Sequence, residues 1–264
     1  MEFWLLYLLT GVFAGFLAGL LGVGGGLVIV PVLTFIFTAQ HFPHEHILHI
    51  ALGTSLASIL FTSLSSLRAH HAHGAVNWRV VRGITPGIVA GTLLGTVLAA
   101  QLSTNFLKGF FVVFVYYVAA QMLLNIKPKA SRQLPGWGGM FAAGSVIGGV
   151  SSLVGIGGGT LSVPFMTWCN IKMHQAIGTS AAIGFPIAVA GAVGYVVNGL
   201  GAGSLPDYSL GFIYLPALAG LVFASVLTAP FGARMAHRLP VPQLKKVFAA
   251  LLIVLGTRML ASLF

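Results

Sequence analysis

The sequence predicts an all-α polytopic membrane protein made of two inverted repeats, each with about five helical segments. Three observations support this prediction. The chain of 264 residues is 57% hydrophobic and 6% charged, with a mean hydropathy of +0.99, whereas soluble domains average about 25% charged residues. A glycine-rich motif, Gly22–Pro31, recurs as Gly155–Pro164. Each copy is followed by a second repeated motif that ends in Gly-Thr-Ser, at His49–Ser55 and at His174–Ser180.

Both glycine-rich copies have the pattern Gly-x-Gly-Gly-Gly-x-x-x-x-Pro and lie inside long apolar segments. Each glycine in a helix interior costs about 1 kcal/mol relative to alanine, so the triple glycine predicts a break in the helix. Backbone groups freed by such a break in lipid must find partners or line a cavity. Breaks in corresponding places of two halves indicate the binding site of a transporter, near the bilayer midplane.

Ten apolar segments follow one another along the chain. A full crossing needs about 20 helical residues, so the second and seventh segments, 27–39 and 160–168, need not span the membrane. A linker at 125–136 separates a first repeat, 1–124, from a second, 137–264. The other eight segments are 3–21, 47–67, 80–101, 106–124, 137–154, 174–197, 212–231 and 244–263.

The 13 Lys and Arg residues, against 3 Asp and Glu, lie mostly in loops between these segments. The positive-inside rule accounts for them, so no nucleic acid partner is expected. The loop 68–82 and the linker are basic, whereas 198–210, which corresponds to 68–82, has no basic residue. The loop 232–246 is basic and its counterpart near 102–105 is not. Corresponding loops therefore lie on opposite sides, which requires an odd number of passes per half. Four passes per half would place 232–246 outside, against the rule.

The start of each short helix is the candidate binding site. Unpaired N–H groups and the positive end of the helix dipole favour an anion there, and glycine lets the anion approach the backbone. The alternative is that these glycines only allow close helix packing. The candidate residues are Gly24, Gly25, Gly26, Gly157, Gly158 and Gly159.

The Gly-Thr-Ser motifs add hydroxyl groups to this candidate site. Thr54, Ser55, Thr179 and Ser180 can donate hydrogen bonds to an oxyanion. The alternative is that each hydroxyl binds a carbonyl of its own helix, as buried Ser and Thr often do.

The chain's three carboxylates, at Glu2, Glu45 and Asp207, lie near segment ends or in loops. Cation transporters and proton pumps usually place a carboxylate inside the membrane, so a cation substrate is disfavoured. Any proton-coupling role falls to histidine. His49 and His174 are related by the repeat and are candidates for contact with protons or substrate; the alternative is an interfacial histidine bonded to a loop carbonyl.

The remaining histidines and the single cysteine predict no metal site, no cofactor and no enzyme activity. Cys169 alone excludes an intramolecular disulfide and a cysteine metal cluster. The sequence contains no evident nucleophile–base pair or acidic dyad. Two histidine groups lack acidic or cysteine partners and are expected in solvated interfacial loops: His41, His44 and His46, then His70, His71 and His73.

The repeated glycine motif with a Gly-Thr-Ser motif after each copy resembles the sulfite exporter family called TauE/SafE, and the resemblance extends from Phe3 to Leu263. It implies a multi-pass transporter in the inner membrane of a bacterium or archaeon, with the candidate site at the motifs named above. The implied substrate is a small sulfur-containing anion such as sulfite, sulfoacetate or another organosulfonate, exported by alternating access. The expected partners are this anion, the lipid bilayer and, as an open question, further copies of the chain. The alternatives are an anion channel and, less favoured, a histidine-dependent membrane metal-binding protein or enzyme.

Overall fold

The computed structural model describes residues 2–21, 25–124, 131–235 and 241–263. Within these ranges the chain forms ten helices and one two-stranded hairpin, so the predicted all-α class is confirmed. The helices are α1 Glu2–Leu21, α2 Gly26–Ala39, α3 Ile47–Ala72, α4 Trp78–Gln101, α5 Thr104–Leu123, α6 Trp137–Val154, α7 Gly159–Trp168, α8 Met173–Gly199, α9 Leu215–Met235 and α10 Val241–Ala261, and the antiparallel strands are β1 Ser209–Leu210 and β2 Ile213–Tyr214.

Seven of these helices are long and apolar enough to cross a membrane: α1, α3, α4, α5, α6, α8 and α9. Large apolar side chains such as Leu94, Val113 and Phe223 are exposed on their outer faces, as expected for surfaces that contact lipid. The protein is therefore a multi-pass membrane protein. The two short helices, α2 and α7, have 14 and 10 residues.

Helices from one half of the chain pack against helices from the other half. Helix α1 packs along α9, and α6 packs along α4. The motifs make α6 the counterpart of α1, and α9 the counterpart of α4, so these two pairs are equivalent. Helices α3 and α8, which carry the Gly-Thr-Ser motifs, pack against each other. The inverted orientation of the two halves stays a prediction.

Small residues allow these helix pairs to approach closely. A Cβ on Gly87 or Gly91 of α4 would collide with the carbonyl oxygen of Phe141 or Ser145 on α6. On the equivalent pair, a Cβ on Gly11 of α1 would lie 2.7 Å from the carbonyl oxygen of Leu221 on α9. In lipid, where the hydrophobic effect does not drive helices together, such close contact supplies much of the attraction.

Two predicted boundaries are wrong. Helix α3 continues to Ala72, five residues beyond the predicted end, and so includes Arg68, His70 and His71. The ninth apolar segment was predicted to be helical from Phe212, but Ile213 and Tyr214 form β2, and α9 begins only at Leu215. The hairpin has no hydropathy signature because its few residues are as apolar as the helix that follows.

Candidate functional site

Helix α2 and helix α7 begin at equivalent glycine breaks. Gly25, which precedes α2, has φ of 73°, and Gly158, which precedes α7, has φ of 75°. Glycine adopts this left-handed conformation without the steric penalty of a Cβ. In both halves a glycine break thus precedes the short helix, as the repeated triple glycine predicts, and the carbonyl oxygen of Gly25 or Gly158 accepts hydrogen bonds from the amides three and four residues later.

The glycines of the two breaks have different surroundings. The backbone of Gly26 packs against the carbonyl of Gly155, where a Cβ would collide, and a Cβ on Gly25 would lie 2.8 Å from the carbonyl oxygen of Ala14. Gly159 is the first residue of α7. Gly157 lines a pocket. Gly24 lies outside the described residues. Close packing is thus the immediate role of Gly25 and Gly26.

The Gly-Thr-Ser motifs hold the two loops that precede α4 and α9. We call these the crossing loops: residues 73–77 and the hairpin 209–214. The backbone N–H of Tyr214 donates to Oγ1 of Thr54, and that of Asn77 donates to Oγ1 of Thr179, both at 2.9 Å. Each threonine therefore accepts a hydrogen bond from the crossing loop of the other half.

The glycine before each threonine leaves room for the same crossing loop to approach. A Cβ on Gly53 would collide with the carbonyl oxygen of Phe212, and one on Gly178 would lie 2.6 Å from that of Ala75. In both halves the contacted carbonyl lies two residues before the donated N–H. The two loops thus dock on their motifs in the same register. Both threonines are fully buried, so their immediate role is to fix these loops.

The serines of the two motifs occupy different places. Oγ of Ser55 donates to the carbonyl oxygen of Gly155 at 2.7 Å, which joins α3 to the end of α6. Ser180 is fully buried on α8 and lines the pocket. Of the four threonines and serines predicted for the site, Ser180 is thus the one that the pocket lining includes.

The pocket, which we call the α3 pocket, lies between α1, α3, the break before α7, and α8. The pocket is narrow, with room for about one water molecule in this state, and it is partly open to solvent. Its polar side is the C-terminal half of α3, where Thr62, Ser63 and Ser66 are spaced as on one helical face. The remaining lining residues are Ala18, Ile59, Gly157, Ser180, Ala181 and Gly184.

Sequence analysis missed the three α3 hydroxyls. Oγ1 of Thr62 donates to the carbonyl oxygen of Ser58 at 3.0 Å, and Oγ of Ser63 to that of Leu60 at 3.2 Å. Oγ of Ser66 is buried and has no hydrogen-bond partner among the described residues. Nothing in the repeated motifs indicates these positions, because they lie beyond the motif and differ between the halves.

The two candidate histidines differ in their surroundings. Nε2 of His49 lies 3.0 Å from the carbonyl oxygen of Ala99 and 3.1 Å from that of Leu102. Since carbonyls only accept, this nitrogen carries the proton and donates to both. His49 thus ties the start of α3 to the end of α4, as in the alternative interpretation. His174 is exposed. The contact of either residue with protons or substrate remains a prediction.

The prediction of solvated interfacial loops is wrong for two of the other histidines, because His70 and His71 lie within α3. His41, His44, His71 and His73 are exposed, but His70 is 2% exposed. Among the described residues, no three His, Cys, Asp or Glu side chains come together as a metal-binding group.

Comparison with known proteins gives a consistent result. The family model for the sulfite exporter TauE/SafE matches residues 7–259. A probable membrane transporter protein of Haemophilus influenzae is 40% identical over 260 residues, which cover 98% of each chain. Probable membrane transporter proteins of Methanocaldococcus jannaschii and Bacillus subtilis are each 25% identical, over 97% and 91% of this chain and 94% of their own. No solved structure matches the chain.

Proposed function

Because the chain belongs to the sulfite exporter TauE/SafE family of membrane transporters, we propose that it exports a small sulfur-containing anion by alternating access. Sulfite, sulfoacetate and related organosulfonates are the substrates proposed. The observation that carries this proposal is the α3 pocket. It brings hydroxyl groups from α3 and α8 beside a glycine break whose backbone amides begin a new helix.

The chemistry of this pocket suits an oxyanion. Oγ of Ser66 has no hydrogen-bond partner among the described residues and can donate to an anionic oxygen, as backbone amides can, whereas the hydroxyls of Thr62 and Ser63 already donate to carbonyls of α3. The start of α7 adds the positive end of a helix dipole. Gly157 brings main chain to the pocket wall, where a larger residue would occupy the space. The carboxylates Glu45 and Asp207 both lie in turns outside the helices, so they do not repel an anion within the membrane.

The membrane potential favours export. A single negative charge that leaves a cell with an inside-negative potential gains about 2.3 kcal/mol per 100 mV. Outward movement of an anion therefore needs no coupled ion. This agrees with the positions of the three carboxylates, since Glu45 and Asp207 lie in turns and Glu2 is the first residue of α1, so no helix interior offers a carboxylate for proton or sodium coupling. Import against the same potential would need such a partner.

The unequal filling of the two halves supports alternating access. The number of residues that separates His49 from His174 also separates Thr62 from Ile187 and Ser63 from Ala188. At the related place on α8, the side chain of Ile187 packs against the break at Gly158. Thr62 and Ser63 thus line a pocket, whereas Ile187, the counterpart of Thr62, fills the space beside the break. An inverted pair of repeats that exchange these two arrangements would open the site alternately to each side of the membrane.

Purified protein in liposomes tests the proposed function. With sulfite inside, an imposed inside-negative potential should accelerate sulfite efflux, and the rate should saturate with sulfite concentration, since each turnover requires a conformational change. Sulfite flux equal to that of empty liposomes, or flux that ignores the potential, would contradict the proposal. Efflux without saturation and at channel-like rates would instead support an anion channel.

The remaining alternative is a histidine-dependent activity. Its test is the double variant His71→Ala and His73→Ala, because both side chains are exposed and their removal leaves the core intact. We expect this variant to transport sulfite at the wild-type rate. Loss of flux in this variant would favour the histidine-dependent alternative.

A further inference from the structure

Three buried hydroxyl groups surround the start of α7 and have no hydrogen-bond partner among the described residues. They are Oγ of Ser151 on α6 and, on α7, Oγ1 of Thr160 and Oγ of Ser162. Their side chains are 0%, 5% and 0% exposed. A buried hydroxyl without a partner is destabilising, so three around one helix start call for an explanation.

All three lie close to the glycine break. Oγ of Ser151 is 3.3 Å from the place where a Cβ on Gly158 would lie, which puts this hydroxyl beside the backbone that precedes α7. Thr160 and Ser162 are the second and fourth residues of α7. Both therefore lie in the first turn of α7, next to the break, on different sides of the helix.

The first half of the chain lacks this polar group. In the alignment of the two glycine motifs, the counterparts of Ser151, Thr160 and Ser162 are Ala18, Leu27 and Ile29. Both breaks share the glycines and the proline, which shape the backbone. Only the second break adds hydroxyls, and these cannot be needed for the shape, because the first break has the same left-handed N-cap without them.

We propose that Ser151, Thr160 and Ser162 are the residues that determine substrate specificity, by donating hydrogen bonds to the oxygen atoms of a bound oxyanion at the start of α7. The binding site is then asymmetric. The second break and the α3 pocket hold the anion, whereas the first break serves as an apolar partner in packing. This inference rests on the proposed function, because it assigns residues to that same site.

The test combines ligand affinity with the stability of the ligand-free protein. The variants are Ser151→Ala, Thr160→Val and Ser162→Ala, each close in shape to the original residue. The control is Thr34→Val on α2, whose hydroxyl is also buried but binds the carbonyl oxygen of Val30 at 2.8 Å. Sodium sulfite and sodium sulfoacetate are the probes, with sodium chloride at equal ionic strength as background, and binding is measured by thermal shift and calorimetry.

Each of the three variants should bind at least one probe about tenfold or more weakly than wild type, as expected when a hydrogen bond to a charged group is lost. The variants without ligand should unfold at or above the wild-type temperature, because an unpaired buried hydroxyl has been removed. Thr34→Val should keep wild-type affinity. Wild-type affinity in all three variants, or unfolding several degrees lower without ligand, would overturn the inference and leave the proposed function standing. If neither probe binds the wild-type protein, the proposed function itself fails, and the inference with it.

Discussion

The backbone N–H of Tyr214 donates a 2.9 Å hydrogen bond to Oγ1 of Thr54, across 160 residues of sequence. The bond joins the last residue before α9 to the middle of the first half's motif. Its counterpart joins Asn77, the last residue before α4, to Thr179. The Gly-Thr-Ser motif is therefore a docking site in which glycine admits a loop carbonyl and threonine accepts a loop amide. This explains the repetition without any contact between the threonines and substrate.

The threonines should contribute measurably to stability. Replacing Thr54 or Thr179 with valine leaves the amide of Tyr214 or Asn77 without its acceptor. An unpaired polar group at a buried position costs about 1–3 kcal/mol of unfolding free energy. Thermal unfolding of the detergent-purified variants measures the loss. Thr54→Ser and Thr179→Ser keep the hydroxyl and serve as controls, and equal stability of the valine and serine variants would show that the two bonds do not matter.

The glycines before these threonines should tolerate even less change. In Gly53→Ala the new Cβ would collide with the carbonyl oxygen of Phe212, so the hairpin must move away from α3. We expect a lower unfolding temperature and reduced transport. Gly109→Ala is the matched control, because a Cβ on that helical glycine meets no heavy atom within 4 Å among the described residues. There alanine should raise stability by up to about 1 kcal/mol. Similar behaviour of the two variants would contradict the docking role.

Cysteine accessibility should distinguish the two halves of the site. Ser63→Cys lies in the lining of the α3 pocket at a position that is 6% exposed, whereas Ala188→Cys, at the related position of α8, is 0% exposed. In the state described, a membrane-impermeant thiol reagent should label Ser63→Cys faster than Ala188→Cys. The labelling should occur in inverted membrane vesicles, since the pocket lies towards the end of α3 that leads to the basic loop predicted to be cytoplasmic.

The native cysteine should interfere little with this experiment. Burial raises the pKa of the Cys169 thiol, partly offset by nearby Arg132. A raised pKa means a smaller thiolate fraction at neutral pH and slower reaction, so background labelling should increase only as the pH rises. Equal labelling of Ser63→Cys and Ala188→Cys would argue against an opening on the α3 side.

The two candidate histidines should respond differently to substitution. His49→Ala removes the ring that donates to the carbonyl oxygens of Ala99 and Leu102, so its unfolding temperature should fall. His174→Ala removes an exposed ring and should leave stability unchanged. Sulfite efflux at several internal pH values then tests the proton-coupling prediction. A pH dependence that disappears in His174→Ala would show that this residue takes part in proton movement.

Much of the fold could be predicted because the bilayer imposes strong constraints on sequence. Hydropathy and the two glycine runs together located the ten helices of the described residues, and the end of α6 at Val154 matches the prediction. The end of α3 was missed because basic and histidine residues resemble a loop, although one side of that last turn is buried at His70. The hairpin before α9 was missed because two-residue strands leave too short a pattern to detect.

The candidate site could be predicted only in part. Repetition drew attention to residues that both halves share, and those proved to be chiefly residues of backbone shape and loop docking, such as Gly25 and Thr54. Ser66 and Ser162 have no serine or threonine counterpart in the other half of the chain. A search for repeated motifs therefore does not find them. Comparison of the two glycine motifs for differences would have revealed Ser162, whereas Ser66 lies beyond the motifs.

The sequence by itself determined that this chain is a multi-pass, helical membrane protein with two broken helices, because hydropathy and consecutive glycines act locally and need no knowledge of neighbours. Only the tertiary structure decided which polar groups are already paired. Whether a hydroxyl binds a loop from the other half, as in Thr54, or lies buried without a partner, as in Ser151, depends on atoms that are distant in sequence. That difference separates the residues that hold the fold from those that we propose bind a substrate.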